Sequence, residues 1–367
     1  MSYRYPKALY IIRLQIENAS IISSHLTWGF PAPSAFTGFA HALQRKLNTF
    51  DQYHDIECCG VGILCHQFSP QMTKSSDYRY SPYQLNLARH PLESDGSPPA
   101  MVEEGKGHLD VSLIIGLTGD GLDQHLSAND NELNSVTQSL IQQLNQIVYG
   151  MRLAGGSIFP HKRVKPRFIH WSLSEAAEKT KKLCHWLLPS FALLHRHEVL
   201  TAHQQWLSQY QPCLNTQGQA PNLLDTLLDI SRLNLNSVAT NQFTPDGEKK
   251  GDWQVRPRPE HLKGWLVPIP IGYAALTTLQ EKGSITGIRD NRFPATFVET
   301  LLSLGEWKSP HRIEDLTHIL WTYNPAPQNG VYELVQPFAP KSIIQLTSDD
   351  FEEDSFDSYP NSEDEEH

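Results

Sequence analysis

Apolar and polar residues alternate near the start of the chain with the two-residue period of a half-buried β-strand. Positions 12, 14 and 16 are apolar, whereas positions 13, 15 and 17 are polar. Further patterns predict strands at 61–65, 109–117 and between 151 and 171, and helices at 34–47 and 133–148. The order β-α-β-insertion-β-α-β is typical of a ferredoxin-like domain, with the helices on one face of an antiparallel sheet.

The rest of the chain follows different patterns. The segment 71–107 is too long for an ordinary connection and predicts an ordered protrusion or a functional loop. Helices are predicted over 172–210 with a break at Pro189, and over 222–233, followed by a polar loop to 251. A proline-containing edge strand is predicted at 265–271. Two further helices are predicted at 294–304 and 309–321.

The composition is that of a protein with a sizeable core. The chain has 367 residues, 39% of them hydrophobic, which suggests about two domains. It contains no apolar run of the roughly 18 to 20 residues needed to span a membrane and no signal-peptide pattern. Its five cysteines include no CxxC pair, which argues against a zinc site or a disulfide framework and favours a reducing cytoplasm.

The net charge of −10 comes from the C-terminal segment. Residues 349–367 hold ten acidic residues and no Lys or Arg, so the remainder carries 30 cations and 30 anions. A nucleic-acid surface would therefore require local clustering of cations. The segment is predicted to be disordered and is interpreted as a solvated acidic extension, with shielding of a basic groove as the alternative.

The loop 18–34 is the first candidate site. It joins the first predicted strand to the first predicted helix, so hydroxyls and free N–H groups would meet at a helix start that favours an anion. In the alternative interpretation, Trp28 and Phe30 fill the core and the serines cap turns. The candidate residues are Asn18, Ser23, Ser24 and Ser34.

The segment 151–167 is the second candidate site. Its two adjacent glycines permit close approach of a backbone. The segment carries five cations, and no acidic residue lies between residues 133 and 174. Such segments suit a nucleic-acid backbone, although a solvated basic face remains the alternative. The candidate residues are Arg152, Gly155, Gly156, Ser157, Lys162 and Arg163.

The protrusion is the third candidate. Its tyrosines are interleaved with cations, a combination that can stack unpaired bases and hold phosphates. Its own acidic residues dilute this signal, and a contact with a partner protein is an equal alternative. The candidate residues are Asn86, Arg89, His90 and Lys106.

The sequence contains no recognisable catalytic or cofactor motif. The HExxH, GxSxG, P-loop and GxGxxG patterns are absent, and the 17 histidines form no persuasive pair. The RNP aromatic signature is also missing. We therefore expect no catalytic residue, no metal and no cofactor.

Several long blocks nevertheless resemble one family, the Csy-two (Cas-five) subunits of the type I-F CRISPR surveillance complex, or Cascade. The blocks recur in the family's order from position 8 to position 332. They are NASIISSHLTWGFPAPSAFTGFAHAL, LNLARHPLESDGSPPAMVEEGKGHLDVSL, MRLAGGSI, GWLVPIPIGY and FVETLLSLGEWKSPHR.

The resemblance implies an α+β protein with a modified ferredoxin-like (RRM-like) palm, a thumb-like hairpin and a helical region. The implied domains are a palm at 1–171 with the thumb insertion at about 71–107, a helical insertion at 172–252, a C-terminal part at 253–346 that packs on the palm, and the tail at 347–367. Within the insertion, the thumb itself would span 83–107. The acidic tail and the segment 161–167 depart from the family's pattern.

The resemblance also implies a non-enzymatic role in cytoplasmic antiviral defence. Such a subunit binds the five-prime handle of the CRISPR RNA through the loop 18–34 and residues 152–157. It pairs with the large subunit, reaches an adjacent backbone subunit, and contributes to target DNA binding. The alternative is a CRISPR RNA-processing endoribonuclease of the Cas-five or Cas-six kind.

Overall fold

The computed structural model describes residues 3–74, 83–87, 91–125, 135–211, 218–243, 249–288, 290–341, 344 and 346. The chain divides into two compact units. The first comprises 1–195 and 268–340, and the second comprises 196–267 with 341–367. None of the described helices combines the length and the apolar character needed to cross a membrane.

The described residues form sixteen strands and five α-helices. In the N-terminal half these are β1 (Ala8–Ser20), α1 (Pro33–Leu47), β2 (Glu57–Pro70), β3 (Met72–Lys74), β4 (Tyr83–Leu87), β5 (Glu103–Glu104), β6 (Lys106–Thr118), α2 (Ser135–Tyr149), β7 (Arg152–Leu153), β8 (Gly156–Pro160), β9 (Arg167–His170), α3 (Ala176–Leu187) and β10 (Phe191–His195). In the C-terminal half they are α4 (His197–Tyr210), α5 (Leu223–Ser231), β11 (Leu235–Phe243), β12 (Lys249–Val255), β13 (Trp265–Ala275), β14 (Val298–Lys308), β15 (Leu320–Tyr323) and β16 (Val331–Val335).

Four antiparallel strands in the order β2-β6-β1-β8 form the middle of the large sheet. Because side chains alternate along β1, its even-numbered residues face α1 and α2, which pack against each other. On this face the Tyr10 hydroxyl donates to Asn145 Oδ1 of α2. The odd-numbered Leu9 and Ile11 face the opposite side, in a core shared with α3.

The sheet continues past β2 and closes on itself. Both β15 and β10 pair with successive parts of the free edge of β2, and β14, β13 and β16 connect these two strands. Gln336 lies inside this closed arrangement. Its side-chain amide donates to Leu193 O and Ile319 O, and its Oε1 accepts the backbone N–H of His195. The closure therefore surrounds a satisfied polar group.

The second unit is built around a buried carboxylate. Helix α5 begins with a capping box in which Asn222 and Asp225 exchange hydrogen bonds. Asp229 of this helix accepts hydrogen bonds from His203 Nε2 at 2.9 Å and from Arg256 at 2.5 Å, and its side chain is 1% exposed. Burial alone raises the pKa of Asp229, but these donors outweigh it and hold the pKa at about 2.

The helices predicted at 294–304 and 309–321 are wrong. Residues 298–308 form β14, which pairs with β10, and 309–321 form two short 3₁₀ turns that lead into β15. The apolar residues Leu301, Leu302 and Leu304 form a short cluster in the sequence. Periodicity does not separate a strand from a helix over so short an apolar run.

Four other local predictions require correction. The break at Pro189 is followed by strand β10, and the polar loop predicted up to 251 is instead the β11–β12 hairpin. The strand at 265–271 is not an edge, since β13 lies between β14 and β16. Its prolines are accommodated because pairing with β16 begins after them, at Gly272. The single strand expected between 151 and 171 is three strands, β7, β8 and β9.

Candidate nucleic-acid interface

A β-bulge interrupts β1 at Asn18. Ile16 lies opposite Leu109 of β6 and the next paired residue, Ala19, lies opposite Gly107, so the register shifts between them. Asn18 has a φ of 59°, a left-handed conformation that asparagine tolerates better than most residues. The bulge turns the end of β1 and brings an exposed polar side chain to the surface.

The turn between β7 and β8 packs directly against this bulge. A Cβ atom on Gly156 would lie 2.7 Å from Glu17 O, which explains the glycine at this position. Gly155 has a φ of 76°, and Ala154, with a φ of 49°, accepts a hydrogen bond on its carbonyl from Ser20 N at 2.8 Å. The turn is therefore fixed to β1 by backbone contacts.

The start of β6 lies on the other side of the bulge. Lys106 pairs with Ser20 across the sheet, and Ile21 N donates to Gly105 O. The Lys106 ammonium lies 3.4 Å from Glu104 Oε1, so its charge is partly neutralised. Asn86 of β4 is the cross-strand partner of Glu104, which brings the edge of the protrusion to the same place.

Gln71 completes the arrangement and was not identified from the sequence. Its side-chain amide donates to Asn18 Oδ1 at 2.7 Å and contacts His108 Nε2 at 3.0 Å. Its backbone N–H donates to Lys106 O. No local pattern marks Gln71, because its role depends on a register between strands that are distant in sequence.

Arg152 and Ser157 form the exposed side of the turn. They are cross-strand partners in β7 and β8, both exposed, and Arg152 Nη1 lies 3.3 Å from Gly155 O. Lys162 and Arg163 are exposed on the β8–β9 connection. Among the described residues no acid pairs with Arg152, Lys162 or Arg163, which leaves three cationic groups available to an anionic ligand.

We call the residues that the structure brings together the bulge cluster. The cluster joins parts of all three regions singled out in the sequence. Its members are Asn18, Asn86, Lys106, Arg152, Gly155, Gly156 and Ser157.

The remaining predicted site residues lie apart or outside the description. The hydroxyls of Ser23 and Ser24 are engaged within a turn, where both contact Thr27 and Ser24 Oγ also accepts backbone N–H groups. Ser34 lies in the first turn of α1, which has no side-chain N-cap. Arg89 and His90, like the acidic tail, lie outside the described residues.

The two aromatic residues of the first loop behave differently. Phe30 packs on Phe36, Phe68 and Trp307, with ring-centroid distances of 4.8 to 6.3 Å. Trp28 is 55% exposed, and its backbone forms an isolated β-bridge with Ile22. The alternative interpretation, in which both residues fill the core, is therefore correct for Phe30 and wrong for Trp28.

Two histidines of the sheet have side-chain partners in this part of the molecule. His108 Nε2 of β6 contacts the side-chain amide of Gln71 at 3.0 Å, and His66 of β2 is held between Ser112 Oγ at 2.7 Å and Pro189 O at 2.8 Å. Burial lowers the pKa of His66, and the Arg13 guanidinium lowers it further. Within the described ranges, no group of three His, Cys, Asp or Glu side chains could hold a metal.

Comparisons with known proteins identify a close family likeness. The sequence profile described as CRISPR-associated protein (Cas_Csy2) matches residues 9–334. The chain is 41% identical over 345 residues to CRISPR-associated protein Csy2 of Pseudomonas aeruginosa (strain UCBPP-PA14). That alignment covers 92% of this chain and 98% of the relative.

Proposed function

The chain belongs to the Csy2 family of CRISPR-associated proteins, and on this basis we propose that it is a non-catalytic subunit of a type I-F CRISPR RNA-guided complex. In this role it binds the five-prime handle of the CRISPR RNA at the bulge cluster. It pairs with the large subunit, contacts an adjacent backbone subunit, and supports target DNA binding in cytoplasmic antiviral defence.

The observation that carries the RNA-binding proposal is the convergence at the bulge. Three segments distant in sequence meet there and present the cation of Arg152, the hydroxyl of Ser157 and the amide of Asn86. Lys162 and Arg163 follow on the next connection. Cations, hydroxyls and glycine-permitted backbone are the groups that hold a phosphate chain.

We further propose a ferredoxin-like palm and a thumb. The central strand order β2-β6-β1-β8, with α1 and α2 packed together, supports the palm. The antiparallel pairs β3–β4 and β4–β5 support a thumb-like insertion before β6. In this proposal the insertion reaches toward the adjacent backbone subunit.

A non-catalytic role is consistent with the burial of one closely spaced acid–base pair. His203 and Asp229 are 2.9 Å apart, but their side chains are 0% and 1% exposed. A buried pair of this kind has no access to a scissile phosphate. The enzyme alternative is tested by incubating the full chain with precursor RNA, and site-specific cleavage products would overturn the non-catalytic assignment.

The binding proposal is tested by measuring the affinity of the full chain for labelled CRISPR RNA over a range of salt concentrations. We expect Arg152→Ala and Lys162→Ala each to weaken binding and to reduce the slope of log K against log salt by about 0.7, the value for one phosphate contact with a single strand.

Lys282→Ala is the matched control, because Lys282 is exposed and lies outside the bulge cluster and the β8–β9 connection. It should leave both the affinity and the slope unchanged. Equal slopes for the wild type, Arg152→Ala and Lys162→Ala would contradict the assignment of the handle to this surface.

A further inference from the structure

One face of the central sheet carries a row of polar side chains in register. Phe159 of β8, Gln15 of β1, Asp110 of β6 and Gln67 of β2 are successive cross-strand partners. Because side chains at paired positions point to the same face, the four side chains stand side by side. This face is the one opposite α1 and α2.

The row forms the floor of an open groove. The groove has a volume of about 580 Å³, and its lining also includes Glu17, His108 and Lys162. Phe159 supplies the phenyl ring of this lining and is 44% exposed. An exposed aromatic ring surrounded by amide, carboxylate and imidazole groups is a stacking platform with hydrogen-bonding groups at its edges.

The charges along the groove are distributed unequally. Asp110 is neutralised by Arg13, whose Nε and Nη2 each lie 2.8 Å from a carboxylate oxygen. Glu17 is exposed and has no ion pair within the described part of the chain. Lys162 supplies a cation at the rim. The groove thus offers a phenyl ring together with the Glu17 carboxylate, which can accept hydrogen bonds, and the Lys162 ammonium.

The groove adjoins the bulge cluster. Glu17 is the cross-strand partner of Ser157, and Phe159 lies two residues further along β8. Two residues of a strand span about 6–7 Å. A nucleotide whose phosphate is held at Ser157 therefore has its base within reach of the groove.

We propose that this groove binds an unpaired nucleobase that carries an exocyclic amino group, next to the RNA backbone held by the bulge cluster. The base stacks on Phe159, the Glu17 carboxylate accepts from the amino group, and Lys162 contacts the following phosphate. Adenine, cytosine and guanine have such a group, whereas uracil does not. The inference rests on the proposed function and names the chemistry of its ligand.

A nucleobase fits this groove better than a protein segment does. The centre of a protein interface is depleted in charge and rich in apolar groups, whereas the floor here is mostly amide and carboxylate. A polar base edge uses these groups, since unpaired bases are recognised by stacking and by hydrogen bonds to their edges.

The test uses the full chain and short labelled single-stranded RNAs that differ at one position between uracil and cytosine. Phe159→Ala should weaken binding of the cytosine RNA about 5- to 150-fold, the range for loss of one stacked base. Glu17→Gln should abolish the preference for cytosine over uracil while leaving the affinity for the uracil RNA within about twofold.

Phe293→Ala and Glu281→Gln are matched controls, because both residues are exposed and distant in sequence from the groove. If the RNAs bind but Phe159→Ala and Glu17→Gln behave like these controls, the base site is refuted and the proposed function stands. If photocrosslinking from position 159 in the assembled complex captures protein and no RNA, the base site is likewise refuted. If no RNA binds the wild type at all, both proposals fail.

Discussion

Replacement of Gly156 by alanine tests whether the turn between β7 and β8 is packed against the bulge as closely as the structure has it. The added methyl group would lie 2.7 Å from Glu17 O and from Ile16 Cγ2, and 2.9 Å from Ala19 N. Favourable contacts between such atoms begin near about 3.5 Å. Two of the three neighbours are backbone atoms and cannot rotate away, so β8 has to move away from β1.

The expected cost follows from this geometry. Overpacking by one methyl group in a closely packed site lowers the free energy of unfolding by about 1–3 kcal/mol. We expect this loss to weaken the pairing of β1 with β8. Movement of β8 also displaces Arg152 and Ser157. Loss of one hydrogen bond to a charged group, about 1.5–3 kcal/mol, raises the Kd for RNA about 10- to 100-fold. Urea denaturation followed by circular dichroism measures the loss of stability. Titration of the folded variant with RNA measures the change in Kd.

Gly38→Ala is the control for this experiment. Gly38 is an exposed glycine in α1, and a Cβ atom added there would have no neighbouring atom within 4 Å among the described residues outside its own stretch of helix. Alanine there should raise the free energy of unfolding by about 0.5–1 kcal/mol, since glycine disfavours a helix interior. If Gly156→Ala is as stable as the wild type and binds RNA equally well, the close packing of the turn and its role in holding Arg152 are both refuted.

Two further predictions concern buried polar groups. Asp229→Asn should lower the free energy of unfolding of the second unit by about 3–5 kcal/mol, because Arg256 then keeps a buried charge without a counterion. The pKa of Asp229 is 3.8 in the unfolded chain and about 2 in the folded protein. The free energy of unfolding of the wild type should therefore fall by about 2–3 kcal/mol as the pH falls through this range. The variant should lack this step in an acid titration. Gln336→Leu should lower the free energy of unfolding by about 1–3 kcal/mol, measured by urea denaturation, because it removes the side-chain oxygen that accepts the His195 N–H. Unchanged stability would show that the hydrogen bonds of Gln336 do not contribute.

The elements that sequence analysis predicted correctly are those whose apolar residues recur at the period of their own structure. Strand β1 alternates over residues 12–17, and helices α1 and α2 have apolar residues at helical spacing, so local sequence is sufficient. Strand β14 was mistaken for a helix because the strands that pair with it, β10 and β13, lie far away in sequence. The closure of the sheet depends on these long-range pairings and leaves no local signal.

The candidate site was predictable in its parts and not in its assembly. The loop after β1 and the Gly-Gly-Ser turn were each identified from residue type. Their contact follows from the pairing of Glu17 with Ser157, which no single segment encodes. The polar face of β1 was visible as the alternation of Gln15 and Glu17 with buried residues, but only the register with Phe159 turns that face into a groove.

The distribution of charge decides how such a surface can work. The whole chain carries a net charge of −10, so its overall field repels RNA. Ionic strength near 0.15 M screens exposed charges beyond about 8 Å, and only cations close to the bound strand then contribute. In the proposed function, Arg152 of β7 and Lys162 and Arg163 of the β8–β9 connection are the exposed cations that meet that condition. RNA recognition in this proposal comes from short-range contacts at a fixed geometry, and the bulge in β1, held by pairing on both sides, supplies that geometry.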